Sequence, residues 1–531
     1  MGCLLNNSLK LLLLLSSSIA WIRGGLGVQW VQVTWTVTTT ILLAYLFLTM
    51  LKKMKAKALL PASFVIAFLI SLFLLSSTNT KFDQIEFQTF KMVEIDKYLS
   101  NEKNLSKSLM VSSEIKKILP YLTEAPNKAI SIFLDFKNRY TDKYGSNDNG
   151  GKLLNNVFNH IDRKPSPYLP TNTFVNAKIW DSFFFFISQL ITGFLAYYFV
   201  KNRVFVRRFI VFLVTSATLL GITGAFQKIN YVPSDNLKEI FGIWDTPEPR
   251  YFYASFTYKN HWSAYAILML SCLLALCVRE IPKQSLFRNE NITIFLYLLG
   301  IFVLIVSIPH SGSRSGLVIL ICLFILLLFI IFKTKIIHLK TQYLITIFFL
   351  LCFSSIGGLL LSKNTTNEML TNSISQIKNE KPPLRILLWK DLINQISQKT
   401  FWGYGYNSYG TLNPLFQSKV VRDERAKGLA NAHTPYIPLI GYGHSDILEW
   451  ISEFGWVGVV VLILPTTLLI CRNLFFSKSI FVQIISIGTL CFLLYCCVDF
   501  PTRSPACLIS FSIILGLSTR YTNLSFKKNF H

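Results

Sequence analysis

About twelve apolar runs, most of them long enough to cross a lipid bilayer as a helix, constrain this chain more than any other feature. They lie at roughly 9–21, 31–51, 58–77, 179–200, 205–226, 262–278, 292–307, 316–332, 343–361, 447–470, 480–498 and 506–517. Runs of 18 or more apolar residues are the signature of transmembrane helices. The bilayer supplies no water to an unpaired backbone, so each run must satisfy its own N–H and C=O groups, and helices are the default. The expected fold class is therefore all-α: a polytopic membrane protein of about 12 transmembrane helices with long external loops.

A net charge of +25 invites a nucleic-acid reading, but its distribution excludes one. Lysines and arginines fill alternate short loops: Lys52, Lys53, Lys55 and Lys57; Lys201, Arg203, Arg207 and Arg208; Arg279, Lys283 and Arg288. The pattern continues with Lys333, Lys335 and Lys340, then Arg472 and Lys478, then Arg520, Lys527 and Lys528. That is the positive-inside pattern of cytoplasmic loops. It predicts both termini inside and every long loop outside. The expected division is 1–78 as N-terminal helices, 79–178 as an extracytoplasmic insert and 179–361 as central helices. A large external loop, 362–446, and the C-terminal helices, 447–531, complete it. The ten cysteines, Cys3 apart, fall in or beside apolar runs, so neither a disulfide framework nor a metal cluster is implied.

The polar segments carry whatever chemistry the chain has. The insert alternates charges with short apolar groups and reads as helical, with a Gly/Asn-rich break at 145–151 and no catalytic motif. Near 250–264, Arg250, Lys259, Asn260 and His261 gather at the edge of a helix, more polar groups than interfacial anchoring requires. The turn Pro309-His-Ser-Gly-Ser-Arg-Ser-Gly316 precedes another helix. Its small residues leave backbone N–H groups open to an anion, and Arg314 adds a permanent charge. The loop after residue 361 holds ten cations against five acids, a net of +5 that suits an anionic ligand. Within it, 384–396 has the spacing of an amphipathic helix with Arg385 and Lys390 at polar positions. The stretch 403–409 reads as a flexible, tyrosine-rich turn suited to stacking on sugars.

At the last border between loop and membrane, Tyr442-Gly-His-Ser-Asp-Ile-Leu-Glu-Trp-Ile-Ser-Glu453 places His444 just before a helix. Histidine changes charge near neutral pH, so this position suits a general base as well as an interfacial hydrogen-bonding residue. Asp446 and Glu449 suit the start of that helix. Glu453, about 13 Å further along it, suits a supporting role at least as well as a chemical one.

Four elements in this order resemble the superfamily of bacterial O-antigen ligases and O-antigen polymerases. They are Ser255-Phe-x-x-x-Asn260-His261-x-x-Ala264; Ser311-Gly-Ser-Arg314-Ser-Gly316; Arg385-x-x-x-Trp389 leading to Gly403-x-Gly405; and His444-Ser445-x-x-Leu448-x-x-x-x-Glu453-x-Gly455-x-x-Gly458. The resemblance runs from about 250 to 516. Ser445, where the family usually has Asn, and the long insert depart from it. The resemblance implies a GT-C-like, inverting glycosyltransferase of the bacterial inner membrane that needs no cofactor and no metal. A glycan would pass from an undecaprenyl diphosphate carrier to an acceptor, lipid A-core or another glycan or protein. His444 and Arg314 would be catalytic, and Arg250, Lys259, Asn260, His261 and Arg385 would hold the donor. Glu453, Ser445, Gly403 and Gly405 would support them. Ligase, polymerase and protein O-oligosaccharyltransferase all remain open. A lipid-glycan flippase would show charges at mid-membrane and an internal repeat; here Arg250, Arg314 and His444 fall at borders.

Overall fold

The computed structural model describes residues 13–51, 60–82, 111, 114, 126–173, 177–230, 239–241, 243–245, 252–280, 292–333, 383–427 and 440–526. These residues are overwhelmingly helical. In chain order the first helices are α1 (Gln29–Leu51), α2 (Leu60–Ser76), α3 (Pro126–Tyr144), α4 (Asn149–Ile161) and α5 (Ala177–Phe199). Then come α6 (Arg203–Ile229), α7 (Lys259–Glu280), α8 (Ile292–His310), α9 (Arg314–Lys333) and α10 (Leu384–Gln398). The last are α11 (Tyr409–Phe416), α12 (Lys419–Lys427), α13 (Asp446–Phe476), α14 (Ile480–Val498) and α15 (Pro505–Phe526). The described strands form one antiparallel pair, Glu239–Ile240 with Trp244–Asp245.

Among the described residues, six helices are long and apolar enough to cross a membrane: Lys178–Phe199, Arg203–Ile229, Lys259–Glu280, Ile292–His310, Asp446–Phe476 and Ile480–Val498. This is a multi-pass, all-α membrane protein, and six of the twelve expected spans are present among the described residues. The stretches Val65–Ser76 within α2 and Arg314–Ile330 within α9 are also apolar. The run expected at 343–361 lies outside the described residues.

The chain divides into two compact units. One, the bundle, comprises Met1–Ala62, Asp181–Asn379 and Leu464–His531. At its centre is α7, buried at every position from Asn260 to Cys277. Burial on all sides explains a helix apolar all round, and its polar residues must find partners there. Ser271 returns its hydroxyl to the Leu268 carbonyl at 2.7 Å, and Trp262 Nε1 donates to Ser307 Oγ of α8 at 3.2 Å. Asn202 caps α6 by accepting from Val204 N at 2.8 Å, satisfying one of the open N–H groups of a first turn.

The other unit, the lobe, comprises Ser63–Trp180 and Glu380–Ile463. Its core joins the two ends of that sequence gap. In α3, Ala129, Ile130, Phe133 and Leu134 form one apolar stripe. With Leu153, Leu154 and Val157 of α4 they pack on Phe82, Tyr404 and Leu412. Polar contacts reinforce the seam. Ser131 Oγ donates to the Gly410 carbonyl at 2.7 Å, and Asn138 Nδ2 to the Pro414 carbonyl at 2.6 Å. Arg425 Nη1 meets Asp135 Oδ1 at 2.9 Å, with both side chains buried. Burying such a pair gains little on balance, but removing one partner strands a charge, at a cost of about 3–5 kcal/mol.

Lys399, just past the end of α10, is buried and reaches the Ser166 carbonyl at 3.4 Å. Burial, with the positive Lys81 nearby, pushes its ammonium down to about 8. The unfolded chain holds that proton up to the ordinary lysine range, so between about 8 and 10.5 the unfolded state binds more protons and stability must rise with pH. Below about 8 both states carry the proton and the term is flat. Thermal unfolding of the detergent-solubilised protein at pH 7 to 10 is expected to show this rise in wild type relative to Lys399→Met. Parallel curves for the two would refute it.

Candidate active site

In the lobe, the two glycine motifs form a single backbone joint. Helix α13 is interrupted at Gly455, whose φ of 67° and ψ of 178° lie far from helical values. The break releases carbonyls and N–H groups that need new partners, and the segment after α10 provides them. Tyr404 N donates to Ser452 O at 2.8 Å and Gly405 N to Glu453 O at 2.7 Å. Trp456 N donates to Thr400 O at 3.0 Å and Val457 N to Phe401 O at 3.3 Å. Gly403, at φ +66°, lies so close that a Cβ would come within 2.6 Å of the Glu453 carbonyl. At Gly405 a Cβ would come within 2.6 Å of the Thr171 carbonyl. Gly403-x-Gly405 is thus a docking edge for α13 and not a flexible turn. Its tyrosines follow suit: Tyr404 and Tyr409 are buried, and Tyr406 stacks on Phe454 with ring centroids 6.1 Å apart. The expectation that these rings are free to stack on sugars therefore fails for Tyr404 and Tyr409, because the lobe core needs them.

His444 sits one residue before the cap of α13. Ser445 is the capping residue, its hydroxyl accepting from Leu448 N at 3.3 Å. Its hydroxyl performs the cap that an Asn would also perform, so the departure from the family pattern is chemically mild. His444 is half-buried and holds φ at 56°, a left-handed backbone rare for a residue with a Cβ. The preceding peptide is tethered on both sides. Trp389 Nε1 donates to the Gly443 carbonyl at 3.0 Å, and Gly443 N donates to Glu449 Oε1. Arg385 lies on α10, half-buried, one turn before Trp389. The expected amphipathic helix is present there, with Leu388, Asp391, Leu392, Gln395 and Ile396 inward. Gln395 Nε2 donates to Ser452 Oγ at 2.9 Å. Glu453 has no solvent exposure, and its main-chain carbonyl is part of the joint.

In the bundle, a second polar cluster forms where α7 and α9 begin and α14 ends. Ser313 caps α9, its hydroxyl accepting from Gly316 N at 3.0 Å and meeting Tyr495 Oη at 3.0 Å. Ser311 and Ser263 share a hydrogen bond at 3.1 Å. Arg314, the first residue of α9, is exposed, and Lys259, the first of α7, is half-buried. Asn260 and His261 are buried and face inward: Asn260 Nδ2 donates to Asp499 Oδ2, and His261 Nε2 lies 3.1 Å from the Phe500 carbonyl. Tyr258 stacks on Phe500 at 5.1 Å. Arg250 lies outside the described residues.

Asp499 was not singled out in the sequence. It is fully buried, and its Oδ2 accepts from Asn260 of α7 and from Ser315 Oγ of α9, the latter at 3.3 Å. A carboxylate between the N-termini of two helices gains from both dipoles, and here it ties together the elements that present Lys259 and Arg314. The available signal was an acid at the end of an apolar run, in Asp499-Phe-Pro-Thr-Arg503. Among the described residues no three His, Cys, Asp or Glu side chains cluster as metal ligands would.

The joint at Gly455 is testable. An alanine there must hold a conformation nearly exclusive to glycine, costing about 1–3 kcal/mol, and must also push its Cβ into the Phe401 carbonyl. Gly455→Ala is expected to lower the thermal midpoint of the purified protein by several degrees. An unchanged midpoint would exclude the joint.

Residues 299–463, a little under a third of the chain, match the family model described as O-antigen ligase. No curated protein matches the chain. The matched segment contains Arg314, Arg385, Gly403, Gly405, His444 and Glu453, and over these residues the chain is similar to that family.

Proposed function

We propose that the protein is an inverting membrane glycosyltransferase of the inner membrane, most specifically the O-antigen ligase that joins a glycan to lipid A-core. The observation that carries this reading is the O-antigen ligase match, which spans three of the four motifs. The donor is a glycan on undecaprenyl diphosphate, and the reaction takes place at the periplasmic face of a chain with twelve spans and both termini in the cytoplasm. The chemistry asks two things of the protein. The lipid diphosphate must leave with the electron pair of the anomeric C–O bond, and the acceptor hydroxyl must lose its proton as its oxygen bonds to that carbon.

Fixed positive charge suits the first task. Arg314, at the first turn of α9, is exposed where a helix N-terminus also favours an anion. Arg385 and Arg250 are the further arginines assigned to the donor, since guanidinium pairs with phosphate in two-point fashion. Lys259 adds a charge. Asn260 and His261 contribute by holding the start of α7 rather than by touching donor, given their inward bonds. His444 is assigned the second task, taking the acceptor proton on its imidazole. General-base catalysis is worth on the order of 10²–10⁴-fold, and stabilising the departing diphosphate is worth at least as much.

A polymerase that extends the lipid-linked repeat uses the same chemistry with a different acceptor. The α3–α4 insert, built into the lobe that also holds His444, suits either acceptor. Deleting the gene and separating the host's lipopolysaccharide on a gel distinguishes the two. Complete loss of O-chains, with long glycans stranded on the carrier, identifies the ligase. A single capped repeat identifies the polymerase, and an unchanged pattern refutes both.

His444→Asn is the sharpest single variant, because Asn tolerates left-handed backbone while lacking a basic ring. It is expected to insert and fold normally yet lose transfer by at least about 10²-fold. Arg314→Ala should lose transfer to a similar degree, by removing charge from the departing diphosphate. Wild-type turnover in either variant removes that residue from the mechanism.

A further inference from the structure

We infer that Glu449 is the positioning residue of the base, holding His444 in its left-handed backbone conformation and thereby aiming the imidazole. The inference rests on the reading of His444 as general base. Its observations lie entirely in the lobe. At φ 56°, His444 occupies a conformation that costs a residue with a side chain about 1–2 kcal/mol, so neighbouring contacts must impose it.

Three contacts do so. Ser445 is fixed on the C-terminal side by capping α13. On the N-terminal side, Trp389 holds the Gly443 carbonyl at 3.0 Å and Glu449 accepts the Gly443 N–H. Packing leaves the segment no slack: a Cβ on Gly443 would meet Leu392 Cδ2 at 2.8 Å, Tyr409 Cζ at 3.3 Å and Glu449 Cγ at 3.4 Å. Glu449 supplies the side-chain acceptor of this clamp and has no solvent exposure. Its place in the first turn of α13 offsets part of the burial cost, since the helix dipole favours an acid there. A buried N–H left without its acceptor costs about 1–3 kcal/mol, so the Gly443 N–H bond to Glu449 holds the strained peptide in place. A misplacement of about 1 Å at a catalytic group costs on the order of 10²-fold in rate.

The test uses the full-length purified protein, a synthetic polyprenyl diphosphate oligosaccharide as donor and lipopolysaccharide lacking O-chains as acceptor. Glu449→Ala is expected to lower kcat by about 10- to 100-fold with both KM values within about two-fold. Glu449→Gln, which keeps a carbonyl acceptor for the Gly443 N–H, is expected to recover most of the loss. Trp389→Phe removes the other tether and supplies an independent variant, with the same signature, should Glu449→Ala fail to fold. In a His444→Asn background, Glu449→Ala should cost nothing further. Wild-type kcat in Glu449→Ala, a loss in Gln equal to that in Ala, or a loss carried by KM would each overturn the assignment. An active His444→Asn instead refutes the base itself, so the two failures are distinguishable.

Discussion

A backbone polar group that leaves its helix must find another partner, and the lobe is organised by that demand. Gly455 opens α13 over one turn, and the released carbonyls and N–H groups are taken up by four hydrogen bonds from 400–405. The partner segment can approach α13 only because Gly403 lacks a Cβ, and Gly405 leaves the same room on its other side for Thr171 and Asn172. The segment 400–405 just past α10, with the buried Tyr404, is thereby fixed against α13. The joint works as a fixed reference for a residue whose own backbone is strained.

The bundle solves a related problem with side chains. Its central helix is buried on all sides, so Asn260, His261 and Ser263 cannot be solvated and must be paired. Asp499 collects two of the resulting bonds at the start of α7 and α9. The consequence is a division of labour between the residues at the starts of α7 and α9. Asn260 and His261 build the corner, while Lys259 and Arg314 remain at its surface.

Much of this was legible in the sequence, for definite reasons. Apolar runs of bilayer length announce helices because few other structures satisfy a backbone in lipid, and α6, α7 and α14 begin and end within three residues of the runs. The Ser-Gly-Ser-Arg-Ser-Gly turn and the border at His444 were legible because helix starts need small or capping residues. The pairing of distant segments was not. Asn260 and Asp499 lie 239 residues apart, and no local pattern links them. The tyrosines of 403–409 looked exposed because a Gly/Tyr-rich loop is polar in composition, whereas the core that buries Tyr404 comes partly from α3. Nor does composition reveal a left-handed backbone at a histidine; it arises from Glu449 and Trp389 acting on the residue before it.

The seam between α3 and α11–α12 also sets a schedule for biogenesis. Asp135 and its ion-pair partner Arg425 are 290 residues apart. At about 5–20 residues per second, roughly 15 to 60 s of synthesis separate them. During that interval α3 has already been made, with Ala129, Ile130, Phe133 and Leu134 lacking the Tyr404 and Leu412 against which they pack. The lobe cannot mature as the ribosome proceeds; it must wait for almost the whole chain. Transiently exposed apolar surface is prone to aggregation, and the α3 stripe stays in that state for as long as it lacks its partner.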